Sequence, residues 1–124
     1  MILNWDITPV HAPRMTRADA WKKRPIVLKY RQFRDDVNLE MEKSKFPWGS
    51  LDILNVDFYI PMPKSWSGKK KLLMTGMPHK QKPDIDNLCK GLLDSIFREG
   101  DDCKVYSLNA RKFWWSKGRM VITI

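Results

Sequence analysis

Several short stretches of this chain alternate apolar with polar residues, and two longer ones repeat apolar residues at helical spacing. Leu3, Trp5 and Ile7 alternate with Asn4 and Asp6, the period of a strand with one buried face. Pro25 suits the first turn of a helix, where its missing N–H costs nothing. Ile26, Tyr30, Phe33, Val37 and Met41 then form one apolar stripe, which predicts an amphipathic helix ending near Ser44. Leu54, Val56, Phe58 and Ile60 alternate with Asn55, Asp57 and Tyr59, a second strand. A short helix is expected near Lys69–Met74 and a longer one at about 86–98. Tyr106, Leu108 and Ala110 predict a third strand, Ser116–Lys117–Gly118 a turn, and Met120, Ile122 and Ile124 a last strand. This order predicts an α+β fold, a mixed sheet of about four strands with helices packed on one face.

A length of 124 residues suits one domain over 1–124. It is enough to bury a core without disulfide or zinc staples. No apolar run approaches the ~20 residues of a membrane span, and MILNWDITPV lacks the basic and apolar regions of a signal peptide. Cys89 and Cys103 form no CxxC pair, which excludes a zinc ribbon and suits a reducing cytoplasm. No internal repeat or low-complexity tract is present.

Lys and Arg number 23 against 14 Asp and Glu, a net charge of +9. Such an excess points to a polyanionic partner. Its distribution says more. Residues 84–102 carry two basic and six acidic side chains, for −4, so the rest of the chain is +13. A plain nucleic-acid coat protein has no need of this acidic island.

Asp84 and Asp86 stand two apart, which in an extended segment puts both carboxylates on one side. Asp86 or Asn87 can cap the helix that follows. On that helix Leu88, Cys89, Leu92, Leu93, Ile96 and Phe97 take one side, and Asn87, Lys90, Gly91, Asp94 and Ser95 the other. If the next strand lies beside the helix, Asp101 or Asp102 returns to the Asp84/Asp86 pair. Three carboxylates in one pocket need a compensating cation. Oxygen donors without thiolates or clustered histidines select Mg2+ or Mn2+. Such an ion activates water and neutralises a phosphate, with Lys90 adding a fixed positive charge. The same residues also fit a plainer account: acids at a helix start, a Lys90–Asp94 surface pair and a solvated turn at 99–102.

The ordered set His79-x-x-Lys82-Pro83-Asp84-Ile85-Asp86-Asn87-Leu88-x-Lys90-x-x-Leu93-Asp94, followed by Asp101-Asp102 and a strand, resembles the RusA family of Holliday junction resolvases. The resemblance is strong over 79–112 and looser over 54–78. At the N-terminus it rests on Pro9, Pro13, Arg14 and Thr16. It implies a homodimeric, Mg2+-dependent endodeoxyribonuclease that nicks two opposing strands of a four-way DNA junction, in a bacterial or phage-infected cell. It further implies Asp84, Asp86 and Asp102 as metal-binding catalytic residues and Lys90 as the catalytic lysine. Asp94 is then structural, and Asp101 the less favoured of its pair. Two departures stand out: His11 falls where the family usually carries a lysine, and the stretch from Asp94 to Asp101 is short.

Candidate DNA contacts are Arg14, Arg17, Lys69, Lys70, Lys71, Lys80 and Lys82. The bland counterpart for the lysine run is a solvated loop. Among six tryptophans, Trp66 is the best placed to stack on a base, most of them being expected in the core or packed on the sheet. His79 is expected to shape its loop, His11 to be a loop residue, Cys89 to lie in the core and Cys103 to border the site. Two rival readings remain at this level: a non-catalytic basic DNA-binding protein, and a metal-dependent nuclease for other branched DNA or for RNA.

Overall fold

The structure, a computed structural model, describes residues 1–13, 24–98 and 100–124. Four strands, β1 (Ile2–Trp5), β2 (Ile53–Pro61), β3 (Ser107–Trp115) and β4 (Arg119–Thr123), form one mixed sheet in the order β1-β4-β2-β3. β4 runs antiparallel to both β1 and β2, while β3 runs parallel to β2. A parallel neighbour requires a crossover, and α2 (Gly68–Met74) and α3 (Ile85–Ile96) lie within it. α1 (Pro25–Ser44) packs against α3. This is the α+β arrangement expected.

The alternation in β2 puts Leu54, Val56, Phe58 and Ile60 inward. Val56 has Ala110 on one side and Ile122 on the other, and Phe58 has Lys112 and Met120. The inward residues join Tyr30, Phe33 and Val37 of α1 and Leu88, Leu92 and Ile96 of α3 in one core. Full burial of such a side chain contributes about 1.5–3 kcal/mol.

α1 keeps its expected bounds, with Pro25 in the first turn. Its buried stripe starts at Val27 rather than Ile26. Ile26 instead lines a cleft with Val10, His11, Ile60 and Pro83. The third strand extends past the predicted segment to Trp115. Its inward parity is right, yet Tyr106 and Leu108 stay exposed and only Trp114 is fully buried. β3 is an edge strand of the sheet, which leaves its start uncovered. On its outward face Phe113 and Trp115 pack with Tyr59, so an apolar pattern continues on both sides and hides the period of two.

α3 is buried on more than its apolar stripe. Gly91 and Ser95, expected on the polar side, are buried. The Tyr30 hydroxyl and the Ser95 hydroxyl both donate to the Gly91 carbonyl, and Asn38 of α1 donates to the Ser95 carbonyl. Burial pushes the Tyr30 hydroxyl pKa up, with Asp94 adding to it. At Gly91 the N-terminal segment crosses closely: a Cβ there would meet the Val10 carbonyl oxygen at 2.7 Å. Glycine permits that approach.

Candidate active site

The start of α3 is where the sequence concentrates its chemistry. Asp84 occupies the N-cap position in extended geometry, and makes no side-chain cap bond. The expected caps, Asp86 and Asn87, lie inside the first turn instead. Asp84 and Asp86 are both exposed and line one shallow cleft with Lys80, Gln81, Lys82 and Lys112. Acidic side chains beside a helix N-terminus are favoured by its partial positive charge.

Two neighbours of this cleft are not placed at it by the sequence, although His11 stands where the resembled family usually carries a lysine. His11 shares an adjoining hollow with Lys82, Pro83, Asp84 and Asn87. The Ala12 amide donates to the Asn87 carbonyl at 3.4 Å, which holds the N-terminal segment against α3. Lys112 is the second. Its Nζ donates to the Gln81 carbonyl at 2.6 Å and the Pro83 carbonyl at 2.8 Å, spanning the cis Lys82–Pro83 peptide. Burial lowers the Lys112 pKa, and the Asp84 charge opposes that shift. The signal was present: a lysine at the inward parity of a strand, between Ala110 and Trp114, breaks the local rule.

His79 takes the loop role expected. It is 4% exposed, lies against Trp114 with ring centroids 4.2 Å apart, and donates its amide to the Lys112 carbonyl. Burial lowers its pKa, and the Lys112 charge lowers it further.

Lys90 follows Asp86 by one helical turn, but its ammonium pairs with Asp94 at 3.2 Å and is exposed. It lines a different cleft, with Pro13, Tyr30, Arg34 and Arg98. The i,i+4 pair of the plainer account therefore forms. Asp102 does not join Asp84 and Asp86. It sits in a 3-10 turn, Asp101–Lys104, beyond the far end of α3; a helix of 12 residues spans about 18 Å. Among the described residues, no group of three or more His, Cys, Asp or Glu side chains comes together to hold a metal. The physical reason is the order of events along the chain. Asp101 and Asp102 precede β3, so by the time the strand runs back along α3 it delivers Lys112 to the cleft, not a carboxylate. Cys103, in the same turn, is exposed and does not border the Asp84 cleft. Cys89 is in the core as expected, its thiol pKa raised by burial and by Asp86.

The donor set at the cleft suits a hard cation all the same. Mg2+ keeps several waters and takes one or two carboxylates together with substrate phosphates, which two exposed aspartates can supply.

Of the predicted DNA contacts, Lys80 and Lys82 line the cleft itself. Lys69 and Lys70 are exposed on α2, and Lys71 is half-buried. Arg14 and Arg17 lie outside the described residues. Trp66 is not open for stacking: Trp114 lies 4.8 Å from it and the Lys70 ammonium sits 4.2 Å over its ring.

A two-aspartate cleft bordered by lysines on an α+β scaffold is the outline of a phosphate-handling nuclease. The family model Endodeoxyribonuclease RusA matches residues 5–124. The chain belongs to that family, whose members are Holliday-junction-resolving endonucleases. No curated protein matches the chain.

Proposed function

We propose that this chain is a Mg2+-dependent, structure-selective endodeoxyribonuclease that resolves four-way DNA junctions by paired nicks as a homodimer. The observation that carries the reading is the Asp84/Asp86 pair at the start of α3, in a cleft shared with three lysines, within a chain of the RusA family. Asp84 and Asp86 hold the ion. Bound there, Mg2+ supplies Lewis-acid stabilisation of the scissile phosphate and lowers the pKa of water. Lys80 and Lys82 draw the DNA backbone into the cleft, where a high positive field offsets its charge. Lys112 fixes the Gln81 and Pro83 carbonyls ahead of Asp84, so the carboxylate meets the ion in a set position. Lys90, exposed and one turn past Asp86, exchanges its Asp94 partner for charge developing on the substrate. Asp102 enters this reading through the family pattern alone. A symmetric dimer gives two such clefts, one for each of two opposed strands.

The free thiols Cys89 and Cys103 accord with a cytoplasmic setting, and among the described residues no helix is long and apolar enough to cross a membrane.

The test is cleavage of a labelled four-way junction in Mg2+, against linear duplex, forked DNA and RNA at fixed salt. Wild-type protein is expected to nick the junction in opposed strands, and Asp84→Asn to bind it without cutting. Absent cleavage, or cleavage unchanged in Asp84→Asn, defeats the assignment; Asp102→Asn tests the third carboxylate in the same assay.

A further inference from the structure

The segment between Asp57 and Asp84 holds six lysines and no acidic residue. It leaves the sheet after β2, forms α2, and returns along the free edge of β3. That return is firmly tied: Gly76 donates to the Trp114 carbonyl, Trp114 to Met77, and His79 to Lys112. Trp66 packs on Trp114 underneath. The root of this lobe is therefore fixed beside the Asp84 cleft.

Its tip is different. α2 has no buried residue. Leu72 is 80% exposed and Leu73 68%, with Met77 at 49%. A solvated lysine loop gains nothing from two adjacent exposed leucines. Nor is the tip loosely held. The Ser67 hydroxyl accepts from the Lys70 amide, Thr75 closes the other end through its amide and hydroxyl on the Lys71 carbonyl, and Lys70 lies over the Trp66 ring. A rigid apolar point surrounded by lysines matches the chemistry of a nucleic acid. Apolar side chains enter between base steps while flanking cations hold the phosphates.

We propose that Leu72 and Leu73 form a wedge that enters the DNA at the branch point, with Lys69, Lys70 and Lys71 on the flanking phosphates. Entry requires unstacking, which costs least where bases are already unpaired or poorly stacked. The wedge thus favours a branch over a continuous duplex. This inference rests on the nuclease reading above and assigns its junction preference to a separate part of the chain.

The experiment compares wild-type protein with the double variant Leu72→Asn, Leu73→Asn. Affinity is measured for a four-way junction and for a linear duplex of the same arm sequence, in Ca2+. The junction carries 2-aminopurine at the branch, whose fluorescence rises on unstacking. Both leucines are exposed, so the variant should fold; tryptophan fluorescence checks this. Wild-type protein is expected to raise the 2-aminopurine signal. The variant is expected to lose that rise and to lose about tenfold in junction-to-duplex preference, the scale of one buried leucine. An unchanged signal and preference in the variant, with wild-type cleavage intact, overturns the wedge alone. A wild-type protein that does not cut junctions overturns the nuclease reading and the wedge with it. A variant that alters only the oligomeric state on sedimentation also overturns it, in favour of contact between two copies of the chain.

Discussion

Lys112→Met removes the ammonium that Gln81 and Pro83 share and keeps an unbranched stem against the sheet. Hydrogen bonds from a charged donor contribute about 1.5–3 kcal/mol each when made. The Gln81 bond is exposed and the Pro83 bond part-buried, so water replaces the first donor and only the second loss is felt fully. The expected cost in stability is about 1–2 kcal/mol. The effect on rate should be larger. The Pro83 carbonyl lies in the peptide that leads into Asp84, and a displacement of about 1 Å at a reacting group costs about 100-fold. Urea unfolding reads the first quantity, and single-turnover cleavage of a four-way junction over a Mg2+ titration reads the second. The expected pattern is a rate lowered about 100-fold, a higher Mg2+ requirement and nearly unchanged junction affinity. A full rate at the lowered stability would refute the positioning role. Equal losses of affinity and rate would instead make Lys112 a phosphate anchor.

Three other outcomes are expected. Gly91→Ala should destabilise by about 1–3 kcal/mol because its Cβ meets the Val10 carbonyl oxygen at 2.7 Å and the Ala12 amide at 3.1 Å. This outweighs the roughly 1 kcal/mol that alanine gains in a helix, and a urea midpoint at or above wild type counts against the crossing. His79 has its pKa lowered from 6.5, so the unfolded chain takes up the proton first as pH falls; stability is complete above that value and declines as pH drops through the folded one. Urea midpoints at pH 7, 6 and 5 should show this slope, and His79→Phe should flatten it. Lys90→Ala, at an exposed position, should leave stability within about 0.5 kcal/mol and junction affinity near wild type while lowering turnover. Parallel loss of affinity and turnover would make Lys90 a binding residue only.

The pattern of the chain determined its elements and one half of its site. Alternation in β2, the α1 stripe and the apolar side of α3 are local properties, set by periods of 2 and 3.6 that burial on one face imposes; they carry into the fold, except that Val27 takes the place of Ile26 in the α1 stripe and burial on α3 reaches past its apolar side. The Asp84/Asp86 pair is close along the chain, but its geometry is not that of the extended segment expected: Asp84 is the N-cap and Asp86 already lies in the first turn of α3. What lay beyond reach depended on where one element ends relative to another. The burial of Gly91 and Ser95 follows from α3 being covered by α1 and the 10–12 segment as well as by the sheet. The exposure of Leu108 follows from its place on an edge strand. The separation of Asp102 from the aspartate pair, and the arrival of Lys112 in its stead, follow from the rigid length of α3 and the register of β3 against β2. Composition set the charge and the candidate residues; only the tertiary structure decided which charges meet, because electrostatic partners are chosen by distance in space and not by distance along the chain.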